Sequence, residues 1–518
     1  MQKLSPVDAL SLDTLAPIFE FAVEAGQVAA ETTKTPLALS QVCRAWRQSA
    51  LKHAPLWTNI LLGVHSDRSL ERATEFLGRS RTLPICVTFD MQGARKEPTG
   101  LRERVSFLAS HVHRLRALRI QGATTAPPIH QFLRDLDFPF TDLKDFEIVW
   151  GTPTARPPRR FPVLFGNEIP KSLLPYCFDF SPHDKFTNLT RFALKTHDHR
   201  LEIKLDQLLE ILGGSPTLQY LEIEGFYFEY EDEEFYDPDE DEETEKSILQ
   251  LPQLRFLSLK QCPSGVFLPR INVPATTNVV LIANDPFMSD SEFHEEPPNI
   301  NYALPPSFDK FSFMGKFQTI DFEIVDSSIT LRASQPNGQY LFIEQVPDPD
   351  PDAIFNTTME EMILPSATGF ALSGFGPVTT LRANNQLSKS KRGVLRDAES
   401  GDLVSWLSNM SHLEKLEVSY FPLSFFQSFS GDEGERRPPM AAKDVTLTLY
   451  PDECGDFEEL KAWIRARAQA QLPFEKLEVA LDYSESATPT VDEKFVESLR
   501  CSLAEYVKDV VVKVLRSP

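Results

Sequence analysis

The sequence predicts a mixed α/β protein in which a small all-helical N-terminal domain precedes a long, irregular array of helix–strand units. Two observations predict this class. Apolar residues recur at helical spacing near the N-terminus, and from about residue 100 one six-residue strand pattern returns behind amphipathic helices. A chain of 518 residues is also too long for one ordinary core. We expect a helical domain over 1–62, a connecting segment over 63–100, and the array over 101–518 with an acidic insertion at 229–246.

The first predicted helix covers residues 10–24, LSLDTLAPIFEFAVE. Ser11 can cap it, and the carboxylate of Asp13 lies in the first turn, where the helix dipole favours an anion. Pro17 removes a backbone donor, so we expect it to kink or shorten the helix. Apolar side chains recur at helical spacing along it: Leu12, Leu15, Ile18 and Phe19.

A linker of small residues is predicted over 25–36, and a second helix follows it. This helix belongs to the stretch LALSQVCRAWRQSALKHAPLWTNI, residues 37–60, and Pro55 ends it. Its apolar side chains are predicted to share one face: Leu39, Val42, Cys43, Trp46 and Ala50.

The repeated pattern is apolar-x-x-apolar-x-apolar, which is the alternation of a half-buried strand. Eight good copies share one phase; they begin at residues 115, 143, 189, 218, 254, 308, 413 and 474, and a weaker copy begins at 378. Amphipathic helices are predicted before five copies. They are LRERVSFLASHVHR ahead of 115, IHQFLRDLD (129–137) ahead of 143, LDQLLEILGGSPT ahead of 218, SGDLVSWLSNMSH ahead of 413 and FEELKAWIRARAQAQLP ahead of 474. Because such a unit cannot bury its apolar face alone, the units are expected to stack into a solenoid.

The starts of the eight copies are 28, 46, 29, 36, 54, 105 and 61 residues apart. The first and third intervals match the long class of leucine-rich repeat, which has about 20–29 residues per unit. The other intervals require insertions, and the array is least regular over 260–400. The predicted fold is therefore an irregular leucine-rich-repeat-like α/β solenoid of horseshoe form behind a helical domain.

Two polar positions in each copy of the pattern are candidates for a recognition face. In LRALRI, Arg116 and Arg119 are the variable positions between the apolar ones, and we expect them on an exposed recognition face. The same reasoning in four copies gives the candidate substrate contacts: Arg116, Arg119, Gln219, Glu222, Arg255, Ser258, Glu414 and Glu417.

The charge of the chain excludes some partners. The formal net charge is −23, and 12 of the 17 residues in EYEDEEFYDPDEDEETE, residues 229–245, are acidic. A chain without a broad basic field is a poor candidate for nucleic-acid binding. The acidic run is interpreted as a solvated insertion, with a contact surface for a basic partner as the alternative.

No membrane or export signal is expected. Residues 1–15 lack the basic start and apolar core of a signal peptide, and no apolar run approaches the roughly 18 residues that span a bilayer. The six cysteines lie far apart without a CxxC pair, which is typical of reduced thiols. We therefore expect a cytoplasmic and/or nuclear protein.

From the sequence we expect a protein without enzymatic activity. It has no glycine-rich phosphate loop, no GxSxG elbow and no HExxH motif. The pairs His111 with His113 and His197 with His199 could each share one face of a strand and hold a metal, but no further ligand has recognisable spacing. Exposed loop histidines are the favoured interpretation, and no cofactor or metal is predicted.

The N-terminal segment resembles an F-box. The first helix of that family typically runs Leu-Pro-x-Glu-x-Leu-x-x-Ile-Phe. LSLDTLAPIF carries Leu10, Asp13 in the acidic place, Leu15, Ile18 and Phe19, with Ser11 in place of the usual proline. The second half typically carries Val-Cys-x-x-Trp-Arg, then Ala, then Pro-Leu-Trp and Ile. It is matched in order by Val42, Cys43, Trp46, Arg47, Ala50, Pro55, Leu56, Trp57 and Ile60. The remainder resembles, in texture, the repeat-bearing F-box-like proteins of fungi.

The resemblance implies a substrate-recognition adaptor of an SCF-type cullin–RING ubiquitin ligase, in which the F-box binds the Skp adaptor and the repeats bind a protein substrate. An F-box of about 50 residues is near the limit at which a core can stabilise itself, so a partner would cover part of its apolar surface. Cys43 and Trp46 are expected in the internal packing. The expected Skp contacts are Leu10, Leu15, Ile18, Phe19, Leu39, Val42 and Trp57. The alternative is a repeat scaffold without a ligase role.

Overall fold

The computed structural model confirms the mixed α/β class, because its described strands pair mostly in parallel and helices connect several of them. The chain divides into two compact units, Met1–Leu254 and Arg255–Pro518. The structure describes residues 10–24, 29–64, 66–91, 100–123, 132, 135–136, 138–150, 176–178, 186–196, 201–229, 248–262, 264–284, 317–325, 328–346, 378–386, 410, 412–421, 442–450, 457–483 and 493–515.

The strands of the first unit form a parallel sheet in the order β1-β2-β3-β4-β6-β8, and β5, β7 and β9 form a second, small parallel sheet. β10 is a two-residue strand near the end of the unit. The bounds are β1 Asn59–Gly63, β2 Ile85–Asp90, β3 Leu115–Ala123, β4 Asp145–Trp150, β5 Tyr176–Phe178, β6 Arg191–Thr196, β7 Leu201–Lys204, β8 Tyr220–Glu224, β9 Tyr227–Glu229 and β10 Leu249–Gln250.

The described helices of the first unit are α1 Leu12–Glu24, α2 Ala29–Leu39, α3 Arg44–Lys52, α4 Asp67–Ser80, α5 Leu101–Ala109 and α6 Leu205–Gly213, with 3-10 turns at Ala54–Trp57 and Val112–Arg114. Among them, α5 and α6 lie where the sequence predicts helices ahead of the copies at 115 and 218. The helix predicted over 129–137 lies largely outside the described residues.

The strands of the second unit follow the order β11-β13-β16-β15-β14-β17-β18-β19-β20-β21. The bounds are β11 Phe256–Lys260, β12 Ile271–Asn272, β13 Asn278–Asn284, β14 Thr319–Val325, β15 Ser328–Ser334, β16 Tyr340–Val346, β17 Thr380–Gln386, β18 Lys415–Ser419, β19 Asp444–Leu449, β20 Lys476–Asp482 and β21 Asp509–Leu515. Its described helices are α7 Ser264–Phe267, α8 Glu458–Gln469 and α9 Glu493–Ala504, with a 3-10 turn at Leu268–Arg270.

The repeated pattern builds the strands in both units. Seven of its eight good copies lie on described residues, and each is part of a strand; the copy at 308 lies outside the described residues. All three apolar positions in each of the seven copies are at most 1% exposed. Residues at the fourth position of the six-residue pattern are in register from strand to strand, as are Leu118, Phe146, Phe192 and Leu221.

Antiparallel pairing interrupts the array within the stretch that the sequence marks as least regular. β14 pairs with β15 and β15 with β16 in antiparallel fashion, whereas β16 pairs with β13 and β14 with β17 in parallel. The turn from β15 to β16 holds Gly338 at φ +86°, and the Asn337 side chain accepts a hydrogen bond from the Gln339 amide there. No helix is needed between such neighbours, because a tight turn suffices to join antiparallel strands.

The N-terminal helices differ from the prediction in three places. The predicted linker over 25–36 is wrong at its C-terminal part, because α2 covers Ala29–Leu39 and buries Thr33 and Pro36. Packing of α2 against α1 and β1 outweighs the poor helix propensity of its threonines and proline. The predicted single helix from residue 37 is broken at 40–43, and Cys43 caps α3. Pro17 does not end α1, which continues to Glu24.

The helical segment joins the sheet directly. The predicted boundary at residue 62 falls inside β1, and the predicted connecting segment over 63–100 contains α4 and β2, which form a helix–strand unit of their own. The first strand pairs thus precede the first copy of the pattern. Among the described helices, none combines the length and the apolar character needed to cross a membrane.

We expect Gly225→Ala to destabilise the first unit by more than about 2 kcal/mol. Gly225 follows β8 at φ +79°, and a Cβ atom there would clash with the carbonyl oxygen of Thr196 at the end of β6. Gly78→Ala is the matched control: Gly78 lies within α4, a Cβ there meets no atom within 4 Å, and alanine favours the helix by about 0.5–1 kcal/mol. Denaturant midpoints of the full chain measure both. Equal midpoints for the two variants would contradict the close approach of β6 to this turn.

Candidate functional site

The N-terminal helices enclose a small core. Leu15 and Phe19 of α1 are buried, and the Phe19 ring meets the edge of Trp46 at 5.0 Å between centroids. Trp57 is fully buried; its indole N–H donates to the carbonyl of Ala50 at 2.8 Å. The centroids of Trp57 and Phe76 in α4 are 4.9 Å apart, so this core extends onto the first helix–strand unit.

Several apolar side chains of these helices remain in water. Five of the eight large apolar side chains that are exposed among the described residues lie between residues 10 and 51. Phe21 is 71% exposed, Val42 59% and Ile18 45%. Ile18 and Phe21 are three positions apart on α1 and so share one side of that helix. We refer to the five as the exposed apolar set: Leu10, Ile18, Phe21, Val42 and Leu51.

The predicted Skp contacts divide between the exposed set and the core. Leu10, Ile18 and Val42 are exposed, and Leu39 is half-buried. The expectation that Leu15, Phe19 and Trp57 are directly available to a partner is corrected, because each is at most 2% exposed within its own chain. Their place is the inner side of the helices, where burial of each side chain contributes about 1.5–3 kcal/mol.

Cys43 and Trp46, predicted as internal packing, are both half-buried. The Cys43 sulfur accepts a hydrogen bond from the Trp46 amide at 3.4 Å and so caps α3. The Trp46 indole packs against the Phe19 ring in an edge-to-face arrangement, and its buried N–H meets no hydrogen-bond acceptor among the described residues. Trp46 therefore spans the boundary between the core and the outer surface of the helices.

Sequence reasoning missed Phe21 and Leu51. A signal for Phe21 is present, because residues two apart on a helix point to different sides, and Phe19 and Phe21 cannot both face one small core. Leu51 gives no comparable signal, because it adjoins the buried Ala50 near the end of a helix whose direction only the tertiary structure decides.

The second candidate surface is the polar face of the first unit's sheet. The Arg119 guanidinium pairs with the Glu147 carboxylate in the neighbouring strand, and the Lys195 ammonium lies 2.7 Å from a carboxylate oxygen of Glu222. The Tyr220 hydroxyl donates to the same Glu222 oxygen at 2.7 Å. Burial, and then the bond to Glu222, raise the pKa of Tyr220 well above its usual range, so the hydroxyl keeps its proton.

The polar face of the second unit's sheet carries a comparable network. The Arg382 guanidinium bridges Asp321 at 3.1 Å and Glu417 at 3.0 Å, and Lys415 also pairs with Glu417. Burial would raise the pKa of Glu417, but Lys415 and Arg382 outweigh it and hold the pKa below its usual value. One row of cross-strand neighbours alternates in charge: Lys415, Asp444, Lys476 and Asp509.

The predicted substrate contacts differ in exposure according to their place in the pattern. Residues at its second position precede or begin the strand: Arg116, Arg255 and Glu414 are exposed, and Gln219 is half-buried. At its fifth position, Arg119 and Glu417 are half-buried and paired with neighbouring strands. The expectation of exposure is wrong for Glu222 and Ser258, which are 4% and 0% exposed. Lys195 and Tyr220 shield the Glu222 carboxylate.

Within the described residues, no cluster of three or more histidine, cysteine or acidic side chains has the arrangement needed to hold a metal ion. His111 packs its ring against Phe107 at 5.4 Å, and burial followed by the nearby Arg114 lowers its pKa. The predicted pair His197 and His199 and the acidic run both lie outside the described residues, apart from Glu229 at the end of β9.

We expect Arg382→Gln to lower the thermal midpoint of the chain more at pH 7 than at about pH 4. A depressed carboxyl pKa contributes stability that is present above the ordinary pKa near 4.5 and is lost as the pH falls through the folded-state value. Without Arg382, the pKa of Glu417 returns toward its ordinary value, so the difference from the unsubstituted chain shrinks on acidification. At neutral pH the loss is below about 1 kcal/mol, because the pair is partly exposed.

Arg465→Gln is the control for this measurement, because it removes the same charge from a guanidinium that lies over the Tyr506 ring, 5.8 Å from its centroid. Thermal unfolding by circular dichroism at the two pH values gives the comparison. A difference between Arg382→Gln and the unsubstituted chain that does not change with pH would contradict the network.

Comparison with known proteins identifies no family for this chain. Protein-family models give no match to the sequence, and curated protein sequences give no match either. The exposed apolar set and the two charged sheet faces are therefore the observations on which a functional conclusion rests.

Proposed function

We propose that this chain is the substrate-recognition subunit of an SCF-type cullin–RING ubiquitin ligase, with an N-terminal F-box that binds the Skp adaptor. The repeat array would hold a protein substrate, and no residue of the chain would perform the chemistry. Its contribution is proximity, which raises the local concentration of substrate near the ubiquitin-loaded enzyme. The proposal includes a cytoplasmic and/or nuclear location, without nucleic-acid or membrane partners.

The observation that carries this proposal is the exposed apolar set. Scattered exposed apolar residues are ordinary on a protein surface, but here Ile18, Phe21 and Val42 crowd into a short helical segment. Aliphatic and aromatic anchors with few charges are typical of the centre of a helix-to-helix interface. A partner that covers these side chains gains the burial energy that the chain itself leaves unused.

The proposed interface has two layers. The buried residues Leu15, Phe19 and Trp57 hold the helices together, and the exposed set supplies the contacts. The Glu20 carboxylate of α1 and the His53 ring, 2.7 Å apart, tie α1 to the C-terminal end of α3. This division explains how one motif can carry both core residues and contact residues.

We also propose that the helix–strand units are leucine-rich-repeat-like and that their polar faces meet the substrate. The in-register burial of the pattern residues supports this, as do the helices α5, α6 and α8 that precede β3, β8 and β20. The candidate contacts are then the exposed or half-buried members, Arg116, Arg119, Gln219, Arg255, Glu414 and Glu417. Most charges on these faces already have partners within the chain, so shape and hydrogen bonding would contribute more than net charge.

A repeat scaffold without a ligase role is the second candidate, and one observation favours it. The 3-10 turn Ala54–Trp57 leads into β1, and Trp57 packs on Phe76 in α4. Repeat arrays need a terminal element that covers the apolar end of the first unit, and the N-terminal helices are placed to do this. Under this alternative their outer surface needs no adaptor.

Co-purification of the full chain with a Skp adaptor distinguishes the two candidates. We expect a stoichiometric complex that Phe21→Asp and Ile18→Asp each weaken at least about tenfold, because a charge would lie in the apolar centre of the interface. Leu472→Asp is the matched control, since Leu472 in the second unit is also exposed, at 40%.

Substitution at exposed positions avoids the ambiguity that loss of Leu15 or Trp57 would bring, because those residues support the fold. Unchanged thermal midpoints should accompany the loss of binding. A folded chain that ignores the adaptor would overturn the ligase proposal and leave the scaffold. Equal binding by Phe21→Asp and Leu472→Asp would contradict the assigned surface.

A further inference from the structure

Among the described strands, the last one of the second unit has a neighbour on one side only. β21 pairs with β20 on one side, and no other described strand pairs with it. Its seven residues, DVVVKVL, are mostly apolar and contain no proline. A long apolar edge of this kind is a template for pairing with another strand, and proteins usually protect such edges with charges, proline or a covering element.

The apolar side chains of β21 are less covered than their neighbours. Val510, Val512 and Val514 are in register with Leu477, Val479 and Leu481 of β20, respectively. The three β20 residues are fully buried, whereas the three valines are only half-buried and Leu515 is 40% exposed. Helix α9 packs on β21 and buries Leu499 and Leu503, but it leaves this outer margin open.

The backbone of β21 shows which groups face outward. The Asp509 amide donates to the Glu475 carbonyl at 3.2 Å, and the Leu515 carbonyl accepts from the Tyr483 amide at 3.4 Å. In a parallel strand the N–H and C=O of one residue point to the same side, and the side alternates with each residue. The odd-numbered residues therefore bond toward β20, and Val510, Val512 and Val514 direct their N–H and C=O groups outward.

The charges of β21 are complementary to those of a second β21. Asp509 and Lys513 flank three valines symmetrically in DVVVK. Antiparallel pairing centred on Val511 places Asp509 of each copy opposite Lys513 of the other, on the polar face of the sheet. The same pairing continues the alternating row of Lys415, Asp444, Lys476 and Asp509 with a cation from the second copy.

We propose that the outer edge of β21 binds a second copy of this chain, strand against strand, about a two-fold axis through Val511. Val510 of each copy then faces Val512 of the other, and both residues have outward backbone groups. Two such pairs exchange two hydrogen bonds each, which makes four. The half-buried valines of both copies cover one another, and the two polar faces lie on the same side of the joined sheet.

The charges of Asp509 and Lys513 favour the register centred on Val511 over the register centred on Val512. Pairing centred on Val512 would also join outward-facing backbone groups, but it places Asp509 opposite Leu515 and Lys513 opposite Val511. Because a two-fold contact uses the same edge on both copies, it closes after two chains and does not propagate into a fibre. The proposal does not depend on the adaptor role.

Sedimentation equilibrium of the full chain from about 1 to 200 µM tests the proposal, over the range expected for a contact of modest area. We expect a concentration-dependent species of twice 58.6 kDa. Val512→Pro should abolish it, because proline removes an outward N–H and no bond to β20. The thermal midpoint should change little. Three outcomes would overturn the proposal. The chain stays monomeric throughout, the chain forms larger assemblies, or the Val512→Pro variant dimerises as well as the unsubstituted chain.

A charge exchange provides the sharper test. Asp509→Lys alone places lysine opposite lysine in both cross-copy pairs, and Lys513→Asp alone places aspartate opposite aspartate. Each variant should weaken self-association at least about tenfold. A mixture of the two variants restores an opposite charge in both pairs, so we expect the dimer to return. Failure of the mixture to associate, while both variants remain folded, would exclude the register centred on Val511.

Discussion

The in-register stacking of apolar pattern residues is the constraint on which the rest of this structure depends. A single helix–strand unit exposes one apolar side, and only a neighbouring unit with the same phase can cover it. In all seven described copies the first, fourth and sixth pattern positions are at most 1% exposed. Since a shift of one residue would turn every side chain to the opposite face, this burial specifies the register of each strand pair strongly. Strand order and the place of the charged faces follow from it.

The register that buries the apolar residues also determines which charged side chains meet on the polar faces. When the apolar positions stack, the polar positions between them also meet, and oppositely charged side chains lie on neighbouring strands: Arg119 beside Glu147, Lys195 beside Glu222, and Arg382 beside Asp321 and Glu417. Burial of Glu222 would be costly without Lys195 and Tyr220. The faces therefore add to the specificity of strand pairing, and under the proposed function they would also present the surface at which a substrate is held.

At the N-terminus, packing divides the apolar residues of the helices into a buried group and an exposed group. Leu15, Phe19 and Trp57 turn inward and hold three short helices on the first helix–strand unit, whereas Ile18, Phe21 and Val42 stay in water. A domain of this size has too little interior for all its apolar residues. The residues left outside are the ones that the proposed adaptor would cover, so the proposed contact surface would be a consequence of the small core.

The sequence by itself determined the α/β class, the helices α1, α5, α6 and α8, and the strands at seven copies of the pattern, because these depend on local periodicity and on burial that repeats with a fixed phase. Only the tertiary structure decided the rest. Helix α2 forms despite Pro36 because it packs on α1 and β1, and β15 and β16 run antiparallel because a short turn at Gly338 joins them. Whether Glu222 is buried or Trp57 faces inward depends on residues distant in sequence. Alternation shows which side chains share a face, but it cannot show what covers that face.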